Sequence, residues 1–573
     1  MKSDMTGKTV LPFYQDAGFY LRSGKKQAEE GNLVPALQKM RRAYELQPSD
    51  MENVISLAEM LNRMQRFEES IAVLLCAGTP EELPEEGLFG LVSGFLNMEE
   101  FIAARYCLML YLDKFKNGPN ADACRDYLAL LFNKQELSWQ LGLEEGEDAE
   151  LILHIHVAKA LHYSYLDEAC LRYLLAVAPS YPDSLMLQVE IALAEYTLNE
   201  PVKAEHRIFN ILKRDRENVR ANCLLAYIRL YSKREKEAKE LLSRICLPDE
   251  SDFEALGSLT AVLLEAGMYE RAEESAELLL SGLPFDALCI HQTAYAKYML
   301  GKTDEARELY RSILTMDAHD TVAMYYLSWI EAHPDPKDGA KGFVVSYDVS
   351  YGEAMRRFRE LSGIFENGAP EDGLGEREGE IRDLLRWGIC SPFFSEKRPF
   401  FAALSTMPGE ETRRLLRRYL LRNDQPDADK HDAFTALRIL GDEGPYPVYY
   451  HGMWQFKVTS VTLPNDLPAS YMRLHEKLES LAEDGLADEE TMQLAIRIYD
   501  NYLIGLQGGY PRMSRFQRDA MAAAFVLIAL KMQNKEAQPQ ELAKRFSVTV
   551  RRLLNAENRI SLCLQSENEE EQP

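Results

Sequence analysis

Residues 287–320 read ALCIHQTAYAKYMLGKTDEARELYRSILTMDAHD, and the fold turns on how this stretch is parsed. Ala294 lies inside one apolar helical stripe, Leu300-Gly301-Lys302 marks a turn, and Ala306, Tyr310 and Ile313 follow at steps of four and three on a second stripe. Small side chains at Ala294 and Ala306 let two helices approach closely. The same spacing runs upstream: Ala36/Met40/Ala43, Ser70/Leu74/Ala77 and Ala104/Leu108/Tyr111 begin 34 residues apart. Ala169/Tyr173/Ala176, Ala204/Ile208/Ile211, Ala238/Leu242/Ile245 and Ala272/Ala276/Leu279 continue it at 34 or 35. The 65 residues between Ala104 and Ala169 leave room for one degenerate repeat. Twelve positions before each leading residue stands another small or modest one: Gly24, Ala58, Val92, Val157, Ala192, Ala226, Thr260 and Ala294. Turns such as Glu30-Gly31-Asn32 and Ala266-Gly267-Met268 separate the stripes, and Pro48 or Pro284 closes a unit where a helix must stop.

This helix–turn–helix unit with its 34-residue period resembles the tetratricopeptide repeat (TPR) family over about residues 10–333, most weakly at 85–118 and 119–150. The resemblance implies a TPR-like α-solenoid, a right-handed superhelix in which first helices line a concave groove and neighbouring repeats share one core. It further implies that positions two, five, nine and twelve of each first helix face that groove. Those positions include Tyr227, His291, Tyr295, Tyr298, Tyr325 and Trp329. Such rings supply rigid contact area with a polar edge, which suits capture of a peptide or partner helix. The alternative is that they pack against the adjacent repeat or the next domain. The Lys/Asn clamp for a C-terminal carboxylate found in some family members is not reproduced, since Leu21, Lys25 and Ser56 occupy its positions.

The whole chain has 573 residues, so two to four compact units are expected at about 100–200 residues per domain. Hydrophobic residues make up 46% and charged residues 27%, which excludes a wholly disordered, collagen-like or membrane-embedded chain. A net charge of −26 repels phosphate at long range and argues against a chain-wide nucleic-acid or anionic-membrane surface. Nine cysteines without a Cys-x-x-Cys pair read as buried reduced thiols. With no signal-like apolar segment at the N-terminus, a cytoplasmic protein is expected.

After His333-Pro334-Asp335-Pro336 the period stops. Residues 334–380 form a capping segment, with the apolar run GFVVSYDVSYG leading into a helix, and a Gly-rich acidic linker near 368–380. Gly373, Gly375 and Gly379 do not make a nucleotide loop: the spacing differs from G-x-G-x-x-G, no strand precedes them and their carboxylates repel phosphate. Residues 381–465 carry helices paired in the manner of HEAT repeats, then a β-hairpin around His451-Gly452 bearing Tyr449, Tyr450, Trp454 and Phe456. Asp427, Asp429, His431 and Asp432 lack the converging partners a metal needs, and they read as helix-start residues. His154, His156 and His162 are spaced off a common helical face.

Residues 466–566 read as five helices, the third apolar all round at Ala520–Leu530. This block resembles a cyclin-box repeat, and its last two helices resemble a regulatory helix-turn-helix, with Ala543 and Leu553 at packing positions. Positive charge gathers here at Arg512, Arg515, Arg518, Lys544, Arg545, Arg551 and Arg552, a patch for nucleic acid or for docking on the acidic solenoid. Residues 567–573 are an acidic tail, expected to be disordered.

The fold expected is therefore mostly α: a TPR-like solenoid, HEAT-like helices with a short β-hairpin, and a C-terminal five-helix domain. Neither a P-loop, a zincin motif nor a nucleophile elbow occurs. The expected function is a non-enzymatic scaffold or adaptor that binds a protein or peptide partner, without cofactor, metal or membrane. The alternative is a regulatory protein with a solenoid sensor and a C-terminal domain that contacts nucleic acid.

Overall fold

The computed structural model describes residues 15–132, 149–163, 167–365, 374–394, 396–442, 444–450, 453–458, 469–483, 488–505, 513–533, 535, 538–546 and 548–569. The protein is mostly α, with one two-stranded sheet among the described residues. It divides into two compact units, residues 1–426 with 447–456, and residues 427–446 with 457–573.

The first unit is built of helix pairs. They are α1 (Ala17–Glu29) with α2 (Leu33–Leu46), α3 (Met51–Arg63) with α4 (Phe67–Ala77), and α5 (Glu85–Asn97) with α6 (Phe101–Lys114). Helix α7 (Ala121–Phe132) follows, and the second half of its repeat lies outside the described residues. The series resumes with α8 (Ala149–Tyr163) and α9 (Asp167–Val177), α10 (Leu185–Thr197) and α11 (Pro201–Arg214), and α12 (Val219–Tyr231) and α13 (Glu235–Leu242). Helices α14 (Phe253–Glu265) with α15 (Tyr269–Gly282) and α16 (Ala287–Met299) with α17 (Thr303–Met316) complete the pairs, and α18 (Thr321–Ala332) opens a further one.

Local chemistry repeats with the same period as the apolar stripes. Asp16, Asp50, Ser184, Asn218, Asp252, Asp286 and Asp320 each cap a first helix by accepting a backbone N–H of its first turn. Gly31, Gln65, Glu99, Asn199, Lys233, Gly267 and Gly301 each take φ between 58° and 82° in the turn between the two helices. Only three of these seven are glycine, so the turn geometry is imposed by the packed pair rather than by the residue that makes it. The small residues meet as expected: Ala36, Ala192, Ala204, Ala226, Ala238, Ala272, Ala294 and Ala306 are all buried. A Cβ on Gly24 would lie 2.8 Å from Met40.

After α18 come α19 (Tyr351–Phe365), α20 (Glu378–Cys390), α21 (Arg398–Ser405) and α22 (Glu410–Leu420). Of the Gly-rich stretch, residues 374–380 are described, and Glu378 already opens α20. Within this unit the last full pair returns to the first: α2 packs against α17, and α4 against α22. The strand pair β1 (Tyr446–Tyr450) and β2 (Met453–Val458) sends Trp454 and Phe456 onto Phe95 of α5, and Tyr106 of α6 stacks on Phe456 at 5.0 Å. The turn at His451-Gly452 lies outside the described residues.

The second unit holds α23 (Asp427–Ile439), α24 (Ala469–Glu483), α25 (Glu489–Gly505), α26 (Arg515–Met532), α27 (Pro539–Arg545) and α28 (Val550–Glu569). Helix α26 is wrapped by α24, α25 and α28, with Ala520 through Leu527 buried in sequence. Tyr499 and Tyr502 of α25 set their edges on Phe525. The expected five helices are present, and α28 continues to Glu569 into the stretch read as a tail.

Candidate functional site

Lys159 of α8 pairs with Glu254 of α14, Glu254 with Arg220 of α12 at 3.2 Å, and Arg220 with Glu190 of α10 at 2.7 Å. First helices of four successive repeats therefore face a common interior, and their inward side chains form one wall.

At the C-terminal end of that wall the structure gathers His291, Tyr295, Tyr298, Tyr325 and Trp329 and covers them with the chain's own residues 336–350. Phe343 stacks on Tyr295 at 4.9 Å and on Tyr298 at 4.7 Å, and lies 4.7 Å from Tyr326. Backbone carbonyls of the segment take the polar edges of the wall. Tyr325 Oη donates to Gly342 O at 3.1 Å, Tyr326 Oη to Asp348 O at 2.7 Å, and Trp329 Nε1 to Gly339 O at 2.9 Å. Tyr298 Oη donates to His333 O at 2.6 Å. His291 is wholly buried; its Nε2–H donates to Val344 O at 2.8 Å, and Nδ1 accepts from Tyr310 Oη at 2.8 Å. Burial therefore pushes the imidazole down to about 4, with the Val344 carbonyl opposing in part.

Two glycines make this approach possible. A Cβ on Gly339 would fall 1.7 Å from Tyr298 Oη, and one on Gly342 would fall 2.0 Å from the Trp329 ring. From the same segment, buried Asp348 accepts from Trp387 Nε1 at 2.6 Å and Ser391 Oγ at 2.7 Å, and so ties α20 to the cap. The wall positions were read from the repeat. Phe343 and Asp348 were not, and the only sign of them was the apolar run where the period ends; Tyr326 sits on α18 off the positions read as facing the groove.

Tyr227, the sixth expected ring, lies apart from this cap. It sits 5.7 Å from Tyr196 of α10 and 4.6 Å from Tyr231, which is 59% exposed. Burial and the neighbouring Tyr231 and Tyr196 raise the Tyr227 phenol well above its ordinary value.

The basic patch of the second unit resolves into two groups. Lys531 pairs with Glu557, and Lys535 with Asp488 at 2.8 Å, which holds that carboxyl down to about 2. Lys544 and Arg545 on α27 and Arg551 and Arg552 on α28 are exposed, and Arg518 is half-buried. Arg512 and the side chain of Arg515 lie outside the described residues.

Elsewhere, a cavity of about 730 Å³ beside α10 and α11 is lined by Gln188, Glu195, His206, Arg207 and Arg214 among others. Its carboxylate is already engaged: Arg207 reaches Glu195 at 2.6 and 3.0 Å and Gln188 at 2.7 Å. Among the described residues no three His, Cys, Asp or Glu side chains gather as a metal site, and no helix is long and apolar enough to cross a membrane. Cys107, Cys124, Cys170, Cys223 and Cys289 are buried free thiols, whereas Cys246 is exposed, against the expectation of burial, because it lies in the surface loop after the short helix α13.

Capped helix pairs at a 34-residue period, with small residues at each crossing, make the first unit a TPR-like helical solenoid. Among curated proteins the chain is similar to the TPR repeat-containing protein YvcD of Bacillus subtilis (strain 168), with 25% identity over 370 residues that cover 62% of this chain and 74% of that one. Among solved structures, a tetratricopeptide repeat protein from Parabacteroides merdae ATCC 43184 matches at 13% identity and TM-score 0.19, over 55% of this chain and 98% of that one. The P58(IPK) TPR domain matches at 15% identity and TM-score 0.21, over 57% and 99%. Those superpositions are too loose to add to the repeat geometry. No family model matches the chain.

Proposed function

We propose that the protein is a non-enzymatic, cytoplasmic interaction scaffold whose inner wall holds an extended segment of a protein partner. One observation supports this most directly: the wall already binds residues 336–350 of its own chain in cis, with Phe343 between tyrosine rings and carbonyls on Tyr, Trp and His donors. Tyr295, Tyr298, Tyr325, Trp329 and His291 serve that internal segment, so the partner's segment is assigned to the continuation at Tyr196, Tyr227 and Tyr231. There an aromatic or aliphatic residue of the partner takes the place that Phe343 takes at the cap. The buried free thiols suit a reducing compartment.

The test is a photo-crosslinking residue placed at position 231 of the full chain, with the same group at Val202, 80% exposed on α11, as control. A defined partner crosslinked from 231 and not from 202, and lost with Tyr227→Ala, is the expected result. Equal crosslinking from both positions overturns the assignment.

A further inference from the structure

Helices α10, α12 and α14 carry four carboxylates between them, and three are neutralised. Glu190 pairs with Arg220, Glu195 with Arg207, and Glu254 with Arg220. The fourth, Glu265, is exposed at the end of α14, and its carboxylate makes neither an ion pair nor a hydrogen bond among the described residues. Desolvation alone raises that carboxyl above its ordinary value, and no cation offsets it. Glu265 also has a defined place among the rings. It and Tyr231 are each the thirteenth residue of a first helix, 34 positions apart, and their helices α12 and α14 pack as neighbours. Tyr231 is 59% exposed and lies 4.6 Å from Tyr227 with the planes inclined at 42°, and Tyr196 meets Tyr227 edge-on at 5.7 Å. The Glu265 carboxylate is close enough to oppose ionisation of both the Tyr227 and the Tyr295 phenols. An uncompensated negative charge therefore stands between the rings that Phe343 covers and the rings beyond the cap.

We infer that Tyr231 and Glu265 hold an arginine side chain of the protein partner, an assignment that rests on the placement of the partner's segment at Tyr196, Tyr227 and Tyr231. A guanidinium lies flat on the exposed Tyr231 ring, whose face attracts a cation, and turns its paired N–H groups toward the Glu265 carboxylate. An ammonium is a point charge without that planar fork, so lysine uses the ring and the carboxylate less well together. A metal ion is poorly served, because one carboxylate and neutral phenols are too few hard donors. An acidic segment is repelled by Glu265 and by the net charge of −26. The apolar residue assigned to Tyr196 and Tyr227 then stands two positions from the arginine, since alternate side chains of an extended chain share one face.

The experiment selects random heptapeptides displayed on phage against the immobilised full chain and its Glu265→Gln, Glu265→Arg and Tyr227→Ala variants, and reads the enriched residues by sequencing. Arginine two positions from an aromatic or aliphatic residue is the expected enrichment on the unaltered chain. Glu265→Gln keeps the apolar residue and loses the arginine, and Glu265→Arg selects Asp or Glu in its place. A labelled synthetic peptide of the enriched sequence then gives affinities by anisotropy. Exchanging its arginine for norleucine, which removes the charge and keeps an aliphatic chain, weakens binding to the unaltered protein about tenfold and leaves binding to Glu265→Gln nearly unchanged. Circular dichroism and gel filtration establish that each variant folds. Peptides lost with Tyr227→Ala but enriched without arginine, or arginine still enriched on Glu265→Gln, overturn this assignment while leaving the placement of the partner's segment intact. Peptides indifferent to Tyr227→Ala, or no enrichment at all, overturn that placement and the arginine with it.

Discussion

At the residue scale, His291 couples the solenoid cap to pH. It is buried and neutral, and its folded value lies near 4 against about 6.5 in the unfolded chain. The unfolded state therefore binds the proton more tightly as pH falls. His291 contributes stability that is full above about pH 6.5 and is lost progressively down to about 4, roughly 3 kcal/mol in all. Unfolding monitored by tryptophan fluorescence across that window reports the loss, and His291→Gln flattens it. Gly342→Ala tests the cap sterically, since a methyl group there overlaps the Trp329 ring. The expected result is release of residues 336–350, seen as faster backbone hydrogen exchange there while α1–α6 keep their protection. The rings were legible in the sequence from their repeat positions. Their occupant was not, because Phe343 lies outside the period and meets them only through tertiary packing.

At the scale of the element, most repeats carry a side-chain cap on the first helix and a left-handed residue in the turn. Asp286→Ala removes the side chain that accepts the Cys289 N–H at 2.8 Å and costs about 1 kcal/mol. In the turns, Gln65 and Lys233 hold φ of 58° and 60°, a conformation that strains a residue with a Cβ. Gln65→Gly and Lys233→Gly each raise stability by about 0.5–1 kcal/mol, and Gly301→Ala lowers it by about 1. Denaturant midpoints of the four single variants check both signs together. The glycine turns announce themselves in the sequence. Gln65, Glu99 and Lys233 do not, since no residue preference marks them and only the geometry of a packed helix pair places them; Asn199 is the exception, because Asn tolerates the left-handed region.

At the scale of the first unit, the closing contact of the solenoid rests on charge. Glu69 accepts from Arg41 at 2.7 Å and Arg66 at 2.9 Å, with Arg418 at 4.0 Å, and Asp317 pairs with Arg386 at 3.3 Å. Burial opposes the Glu69 charge, but Arg41, Arg66 and Arg418 outweigh it and hold the carboxyl well below its ordinary value. A depressed carboxylate contributes stability above its unfolded value and loses it only as pH falls through the folded one. The closure is thus expected to persist to pH values below the usual carboxylate range. Glu69→Gln strands three guanidiniums and costs about 2–3 kcal/mol, less than a fully buried pair because Glu69 and its partners keep some solvent contact. Urea unfolding at neutral pH measures the loss.

The sequence by itself determined the repeat: helix pairs, their small-residue crossings and the apolar third helix of the C-terminal block. Each of these depends on neighbours a few residues away or one period along, where side-chain spacing maps directly onto a helix face. Only the tertiary structure decided which faces are covered. Phe343 on the tyrosine wall, Trp454 and Phe456 on Phe95, and Arg418 beside Glu69 join residues tens to hundreds of positions apart through segments that have no period. Their meeting depends on the path of the whole chain, and no local pattern encodes that path.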